Sequence, residues 1–445
     1  MRHTFSIVFI GLISFLSAQS VINDPKSSYG FGERSTGSHS IFSALGRNEI
    51  QATDSSILNF KNPASYSFLS PGSTLYNVEL QSRIARFQQN GGSEISGTAM
   101  AENFVIGFKI HPKMGMAFGL KPFATRGYGF SERFYTGTDS LEYSYNGKGT
   151  INSLFLGYAY QVVSKKNTQL SLGFNASYLF GSLYNERIAR LIQTNSNQGG
   201  INRKYTWTRS FQYQFGAVFK QAVTQNHHLA LSGVLEPAQK LSASYRNEFI
   251  SATDIFTSST YSTLVNETTD GKIELGLRYD IGLAYDWYVK ALPKGSKILH
   301  PKITVLLGYG KGGTDSHTFS GVAPWQLNET SKLSFGVQFI PEYKLFENLA
   351  TLKFFEKVQY RAGFFSQNLA YSINNEPCVD QGITFGFGLP ILSQQSLSSV
   401  NLGFTLGNRT FGTTSNITQD YLGINFGLIL APSNFEKWFR KRKLD

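Results

Sequence analysis

Few residues of this 445-residue chain stand at spacings that support chemistry. Gly308, Gly310 and Gly313 satisfy G-x-G-x-x-G, a spacing that lets a backbone approach a pyrophosphate. The residues that follow, TDSHTFSG, do not open a helix, and no βαβ unit surrounds them. The triplet therefore reads as a mobile loop tip. The histidines form no H-E-x-x-H pattern, His227–His228 falls in a predicted turn, and metal ligation is not expected. Neither a G-x-S-x-G elbow nor a phosphate-binding G-x-x-x-x-G-K-S/T loop occurs. Cys378, the only cysteine, lies in NNEPCVDQ, a polar loop sequence with no activating histidine nearby, and it excludes an internal disulfide. No catalytic residue, metal ligand or cofactor is assigned, and the chain is not expected to be an enzyme.

The charges Glu274, Arg278, Asp280 and Asp286 are a different matter. They lie in IELGLRYDIGLAYDW, where Ile273, Leu275, Leu277, Tyr279, Ile281, Leu283, Tyr285 and Trp287 occupy one parity and charged or small residues the other. Such alternation describes a strand with one apolar face. The run exceeds the roughly 5–6 residues of an ordinary soluble strand and suits the roughly 9–11 of a tilted strand crossing a bilayer, closed by interfacial aromatics. On this reading lipid meets the first face, and the four charges are lumen-facing. They are then either part of a pathway or latch, or members of a cross-strand ladder of ion pairs with inward Lys109, Lys121 and Arg361.

Composition points the same way. The chain holds 43 Gly, 37 Phe and 23 Tyr, with a mean hydropathy of −0.18, which suits β structure. No apolar run reaches the roughly 18 residues of a membrane helix, so any crossing must use strands. Residues 1–20 read as a cleaved signal peptide: basic Arg2 and His3, an apolar stretch from Phe5 to Leu16, and a small-residue site at Ala18 or Ser20. The net charge of +12 is dispersed. Nucleic acid is not an expected partner, and anionic lipid at the barrel rim accounts better for the excess.

Residues 21–71 do not alternate and are expected to form a compact N-terminal hatch of short helical turns, its last part bounded by Pro63 and Pro71. From Thr74 alternating runs recur, about fourteen in all, and 72–431 is assigned as one antiparallel transmembrane barrel. Its last run, DYLGINFGLIL, places Leu422, Ile424, Phe426, Leu428 and Leu430 outward. Short connections (HPK, SKKN, TQNHH, ALPKGSK, PILSQQ) are expected as periplasmic turns. Long polar ones (near Gln89–Ala99, Ser131–Lys148, Asn185–Lys204, Asn247–Gly271, Lys311–Thr330 and Gln367–Gln381) are expected as outer loops. Residues 432–445 form a basic periplasmic tail.

The stretch SALGRNEIQATDSSILNFKNPASYSFL resembles the N-terminal hatch of FadL-type outer-membrane transporters of hydrophobic compounds. Asn62, Pro63 and Ala64 match that family's Asn-Pro-Ala turn before the first strand, and the C-terminal strand with its Trp-Phe tail is similar to divergent members. The resemblance implies a monomeric outer-membrane channel for hydrophobic, fatty-acid-like molecules, closed by its hatch. It further implies a sideways opening at a kink in the third strand, where Gly119, Gly127 and Gly129 supply bending points. Two alternatives stay open: a structural or adaptor barrel that docks envelope or secretion proteins, and a diffusion porin.

Overall fold

The computed structural model describes residues 24–431 apart from 36–38, 52–53, 72–73, 90–91, 136, 138, 193–196, 290–297, 300, 324, 345–353, 374–375, 392–397 and 413–416. The expected signal peptide, the basic tail and the ALPKGSK turn lie outside the described residues. Fourteen antiparallel staves close into a barrel. β1 is Thr74–Gln89, β2 Gly92–His111, β3 Met114–Tyr135, β4 Ser140–Ser164, β5 Thr168–Ile192 and β6 Gly199–Ala222. The next four are interrupted: β7 (His227–Glu236, Gln239–Ala252), β8 (Tyr261–Leu275, Arg278–Tyr288), β9 (Lys302–Gly312, Asp315–His317) and β10 (Gln326–Leu327, Thr330–Ile340). β11 (Gln359–Ile373), β12 (Glu376–Ile391), β13 (Ser398–Phe411) and β14 (Ile417–Leu430) complete the ring. β14 pairs with β1 without a break from Tyr76↔Leu430 to Gln89↔Ile417.

Parity fixes the faces. Leu154, Leu156, Tyr160 and Val162 of β4, Leu172 and Phe174 of β5, and Phe426 and Leu430 of β14 are exposed on the outer surface. A contiguous apolar girdle of this extent is a lipid-facing surface. The alternate residues Phe155, Asn175, Tyr421 and Asn425 are buried inside. Above the girdle, β4 turns polar on its outer face from Asn152 up to Glu142, so the chain has left the bilayer there. β3 to β6 contain 22, 25, 25 and 24 residues. At about 3.3 Å per residue and a tilt near 45°, they rise on the order of 30 Å beyond the hydrocarbon. Much of what was expected as long outer loops is this extension: 92–99, 140–148, 199–204 and 261–271 are all strand. Water on both faces removes the apolar alternation that marks a strand in lipid, while hairpin pairing continues.

The interruptions in β7, β8 and β9 fall at Pro237–Ala238, Gly276–Leu277 and Gly313–Thr314, side by side in the sheet. Each reverses parity. Below the break Val234, Ala284 and Leu306 point inward; above it Leu241, Ile273 and Leu275 do. Proline cannot donate to a ladder and glycine tolerates the bend. The alternation expected to run unbroken from Ile273 to Trp287 is therefore two registers. Leu277, Ile281, Leu283 and Trp287 face lipid, whereas Ile273 and Leu275 are interior.

Candidate functional site

The described residues between 24 and 71 fold inside the barrel. One helical turn, α1 (Ser40–Ser43), is capped by His39, whose ring accepts the Ile41 amide. A 3-10 helix, Pro63–Phe68, is capped by Asn62, whose side-chain oxygen accepts the Ala64 amide at 3.1 Å. Phe42, Leu45, Leu58, Phe60, Tyr66 and Leu69 form a core with Leu75, Val105 and Phe155 of the wall, all buried. The plug backbone reaches the wall because the wall is glycine where they meet. A Cβ on Gly115 would overlap the Tyr66 carbonyl, and one on Gly363 would overlap Leu45 and Gly46. Gly173 and Gly403 are in the same position against Pro63–Ala64 and Ser40, while Gly216 and Gly386 leave room for the side chains of Asn62 and Ala44.

The Asn62-Pro63-Ala64 turn lies at this contact. Asn62 donates to Ile50 O at 3.0 Å and to Ala217 O of β6 at 3.4 Å, and Ser171 of β5 donates to Ala64 O at 2.8 Å. Tyr66 donates to Asn175 at 2.9 Å, Gly46 to Thr384 at 2.8 Å, and Gln51 to Leu307 O at 2.6 Å. Burial pushes the His39 imidazole down to about 3, helped by the nearby Arg361 charge, so the ring is neutral beside Glu79.

A buried charge cluster ties the N-terminal strip to β12 and β13 of the wall. Arg409 of β13 meets Asp380 at 3.0 Å, Asp24 at 3.3 Å and Glu33 at 3.3 Å. Arg47 of the plug reaches Asp380 at 3.2 Å and Tyr421 at 2.8 Å, with its guanidinium 3.6 Å from the Phe365 ring centre. Sequence reasoning missed this cluster because its members are far apart in the chain and in unremarkable contexts. Asp380 and Arg409 do lie on inward parities, and that was the available signal.

The four expected lumen charges separate. Arg278 is inward and pairs with Asp315 at 2.6 Å. Asp280 lines an interior cavity of about 160 Å³ with Arg47, Glu49, Lys61 and Lys332. Asp286 stands at the mouth that carries the short turns, 3.7 Å from Lys302, which lies equally near Asp54 of the plug. Burial alone would raise the Asp54 carboxyl, but Lys302 and the Ser56 hydrogen bonds hold it below the usual range. Glu274 is a correction: the parity break after Leu275 turns it outward, where it pairs with Lys240 at 2.7 Å. The expected ladder also has other partners than Lys109, Lys121 and Arg361. Lys121 is flanked by the Phe60 and Phe155 rings, and Arg361 donates to Asn401. Gly308 and Gly310 are a second correction, since they lie within β9 against Asn48, Gln51 and Asp280 rather than at a loop tip. Cys378 is a third: it is fully buried in β12.

The seam between β2 and β3 is incomplete. Pairing runs only from His111↔Met114 to Phe104↔Leu120. Beyond it comes Pro122, which lacks an amide, and a register shift against β4. The plug's first residues take over the vacated edge. Glu33 and Arg34 pair with Thr125 and Ala124, Ser35 N donates to Phe123 O at 3.0 Å, and Asp24 N to Gly127 O at 2.8 Å. Gly32, at φ +78°, passes so close to Thr125 O that a side chain would not fit. The departure in β3 thus sits at Pro122, not at Gly119, Gly127 or Gly129. Above the plug core a second core fills the outer lumen: Phe31, Phe123, Ile151, Leu179, Leu241, Ile273 and Phe319, with Trp325 packed against it.

The closed antiparallel barrel of fourteen strands is a FadL-like fold. The chain is similar to a Pseudomonas aeruginosa FadL homologue (11% identity, 90% of this chain and 98% of the other, TM-score 0.53). It is also similar to the Pseudomonas putida toluene transporter TodX (12%, 91% and 99%, 0.50) and the Ralstonia pickettii toluene transporter TbuX (10%, 89% and 98%, 0.50). At these identities the likeness is one of fold. No protein of curated function matches the chain. The family model BamG matches residues 1–445, and the chain belongs to the BamG family.

Proposed function

We propose that this chain is a non-conducting docking barrel of the outer membrane, one that holds another envelope protein rather than passing solute. The observation that carries the reading is the doubly filled lumen, with the plug core seated on glycines below and the second core of Phe31, Phe319 and their neighbours above. Moving the plug would expose both cores and strand the charges around Arg409, a cost no small solute repays. What the molecule offers instead is the tall wall of β3 to β6. One of its faces carries the stacked pair Phe130–Tyr145 (4.8 Å), with Arg187 near Tyr143 and Tyr145. Tyr, Phe and Arg are the side chains enriched in protein interfaces. The test is purification at native abundance together with planar-bilayer recording. A fixed-stoichiometry envelope partner and no steady current are expected. A lone barrel that conducts would overturn the proposal.

A second reading, passage of a hydrophobic molecule sideways through the β2–β3 seam, is favoured by one observation. A cavity of about 550 Å³ beside Asp24, lined by Phe87, Ile373, Phe411 and Ile417, reaches Phe130 of β3 at the outer end of that seam. The toluene transporters share the fold. Saturable quenching of a fluorescent fatty acid, lost in Phe411→Asp, would favour this reading; its absence would remove it.

A further inference from the structure

We propose that the periplasmic mouth of the barrel is a binding bowl for an acidic, extended segment of a periplasmic protein; the inference rests on the docking reading and names the chemistry of the partner. The bowl encloses about 720 Å³ between the plug end at Asp54–Ser56 and the lower ends of the staves, enough for a few residues of extended chain. Its charged lining is Lys109, Lys166, Lys220 and Lys302 against Asp54 and Asp286. Lys302 lies between the two aspartates, 3.7 Å from each, and offsets one of their two charges, so four lysines against two aspartates leave two positive charges over. Lys220 stands 4.2 Å over the Phe68 ring. Lys109, inward on β2, and Lys166, on the β4–β5 turn, have no carboxylate partner among the described residues. The surplus is therefore positive and concentrated on one wall, with Gln161, Gln169 and Gln221 beside it as hydrogen-bonding groups for a backbone.

Position decides the occupant. Lys109, Lys220 and Lys302 point into the lumen, inside the ring of staves, whereas anionic lipid head groups surround the ring from outside. A narrow acidic peptide can enter the mouth; a bilayer cannot. Lysines on a concave, partly desolvated wall strengthen an incoming carboxylate's attraction over that on a flat surface.

The experiment uses the full chain in phosphatidylcholine nanodiscs and a fluorescein-labelled deca-glutamate peptide, read by anisotropy. Saturable binding is expected, weakened at least tenfold by Lys109→Gln/Lys166→Gln and weakened by raising salt from 50 to 300 mM. Should the double variant fail the heat-modifiability check for a folded barrel, Lys166→Gln alone, on an exposed turn, is expected to weaken binding about threefold. Equal binding by the variants, equal binding of deca-lysine, or abolition of peptide binding by phosphatidylglycerol in the disc would each overturn the proposal, the last by reassigning the lysines to lipid. If the bowl fails while a stoichiometric partner still co-purifies, docking stands and only its address is wrong. If no partner co-purifies yet the peptide binds, the reverse holds.

Discussion

Two seams of the same barrel are built differently. Between β14 and β1, fourteen consecutive residue pairs close the ring from Tyr76↔Leu430 to Gln89↔Ile417. Between β2 and β3, pairing stops at Phe104↔Leu120, and residues 123–127 of β3 are met instead by residues that precede the first stave. The first seam needs nothing but its own strands. The second is complete only while the N-terminal strip is in place, so wall integrity and plug position are one property. A strand edge left open in a barrel presents unpaired amides and carbonyls, which is costly in or near a membrane. The strip removes that cost, and the cluster at Arg409 holds the strip.

The largest test of the contrast is deletion of residues 24–35. The β14–β1 seam should be untouched, while residues 123–127 of β3 lose the strip and the second core loses Phe31. A folded barrel with steady current in planar bilayers is expected, against none for the full chain. A deletion variant as silent as the parent would mean that the strip closes nothing.

Next is Arg409→Met. Arg409, Asp380 and Asp24 are each 3% or less exposed at the side chain. Removing the cation leaves buried carboxylates short of a partner, which costs about 3–5 kcal/mol. Urea unfolding in detergent, followed by tryptophan fluorescence, should show that loss. Arg409→Lys should recover only part, because an ammonium cannot span three carboxylates in the guanidinium's fork. A value near zero for Arg409→Met would break the link between the strip and β13.

A pH series sharpens the same point from the plug side. His39 titrates at about 3 in the fold and at 6.5 when unfolded. Between those values the unfolded chain binds the proton and the folded one does not, so stability rises with pH in that window. It should be whole above pH 6.5 and fall progressively as pH drops towards 3. His39→Asn, which keeps a cap for α1, should flatten that slope; an unchanged slope would mean that His39 is not the group responsible.

Much of the barrel was legible in the sequence because lipid enforces parity. Phe426, Leu430 and Leu283 could face only one way, and they do. The parity breaks were not legible. Pro237–Ala238, Gly276–Leu277 and Gly313–Thr314 carry small or ring-closed residues that read equally well as continuing a strand or bending it. The assignment of Glu274 to the lumen failed for that reason alone. Strand rising into water was equally hidden, since polar side chains on both faces look like loop. Cys378 and the Arg409 cluster were invisible because their partners are set by closure of the ring, not by neighbours in sequence. The Asn-Pro-Ala turn was picked out by the family resemblance, with Pro63 as its one local mark; the cap made by Asn62 came only with the structure.

That turn provides the smallest test. Asn62 acts twice: its oxygen caps the 3-10 helix at Ala64 N, and its amide bridges Ile50 O and Ala217 O. Removing a cap costs about 1 kcal/mol, and the unsatisfied carbonyls add to it. Asn62→Ala should therefore lower stability by about 1–2 kcal/mol without opening the barrel to current, since the β2–β3 seam is held by residues 24–35 and not by this turn. If Asn62→Ala conducts as the strip deletion is expected to, the plug moves as one body, and the seam cannot be treated apart from the turn that anchors it to β6.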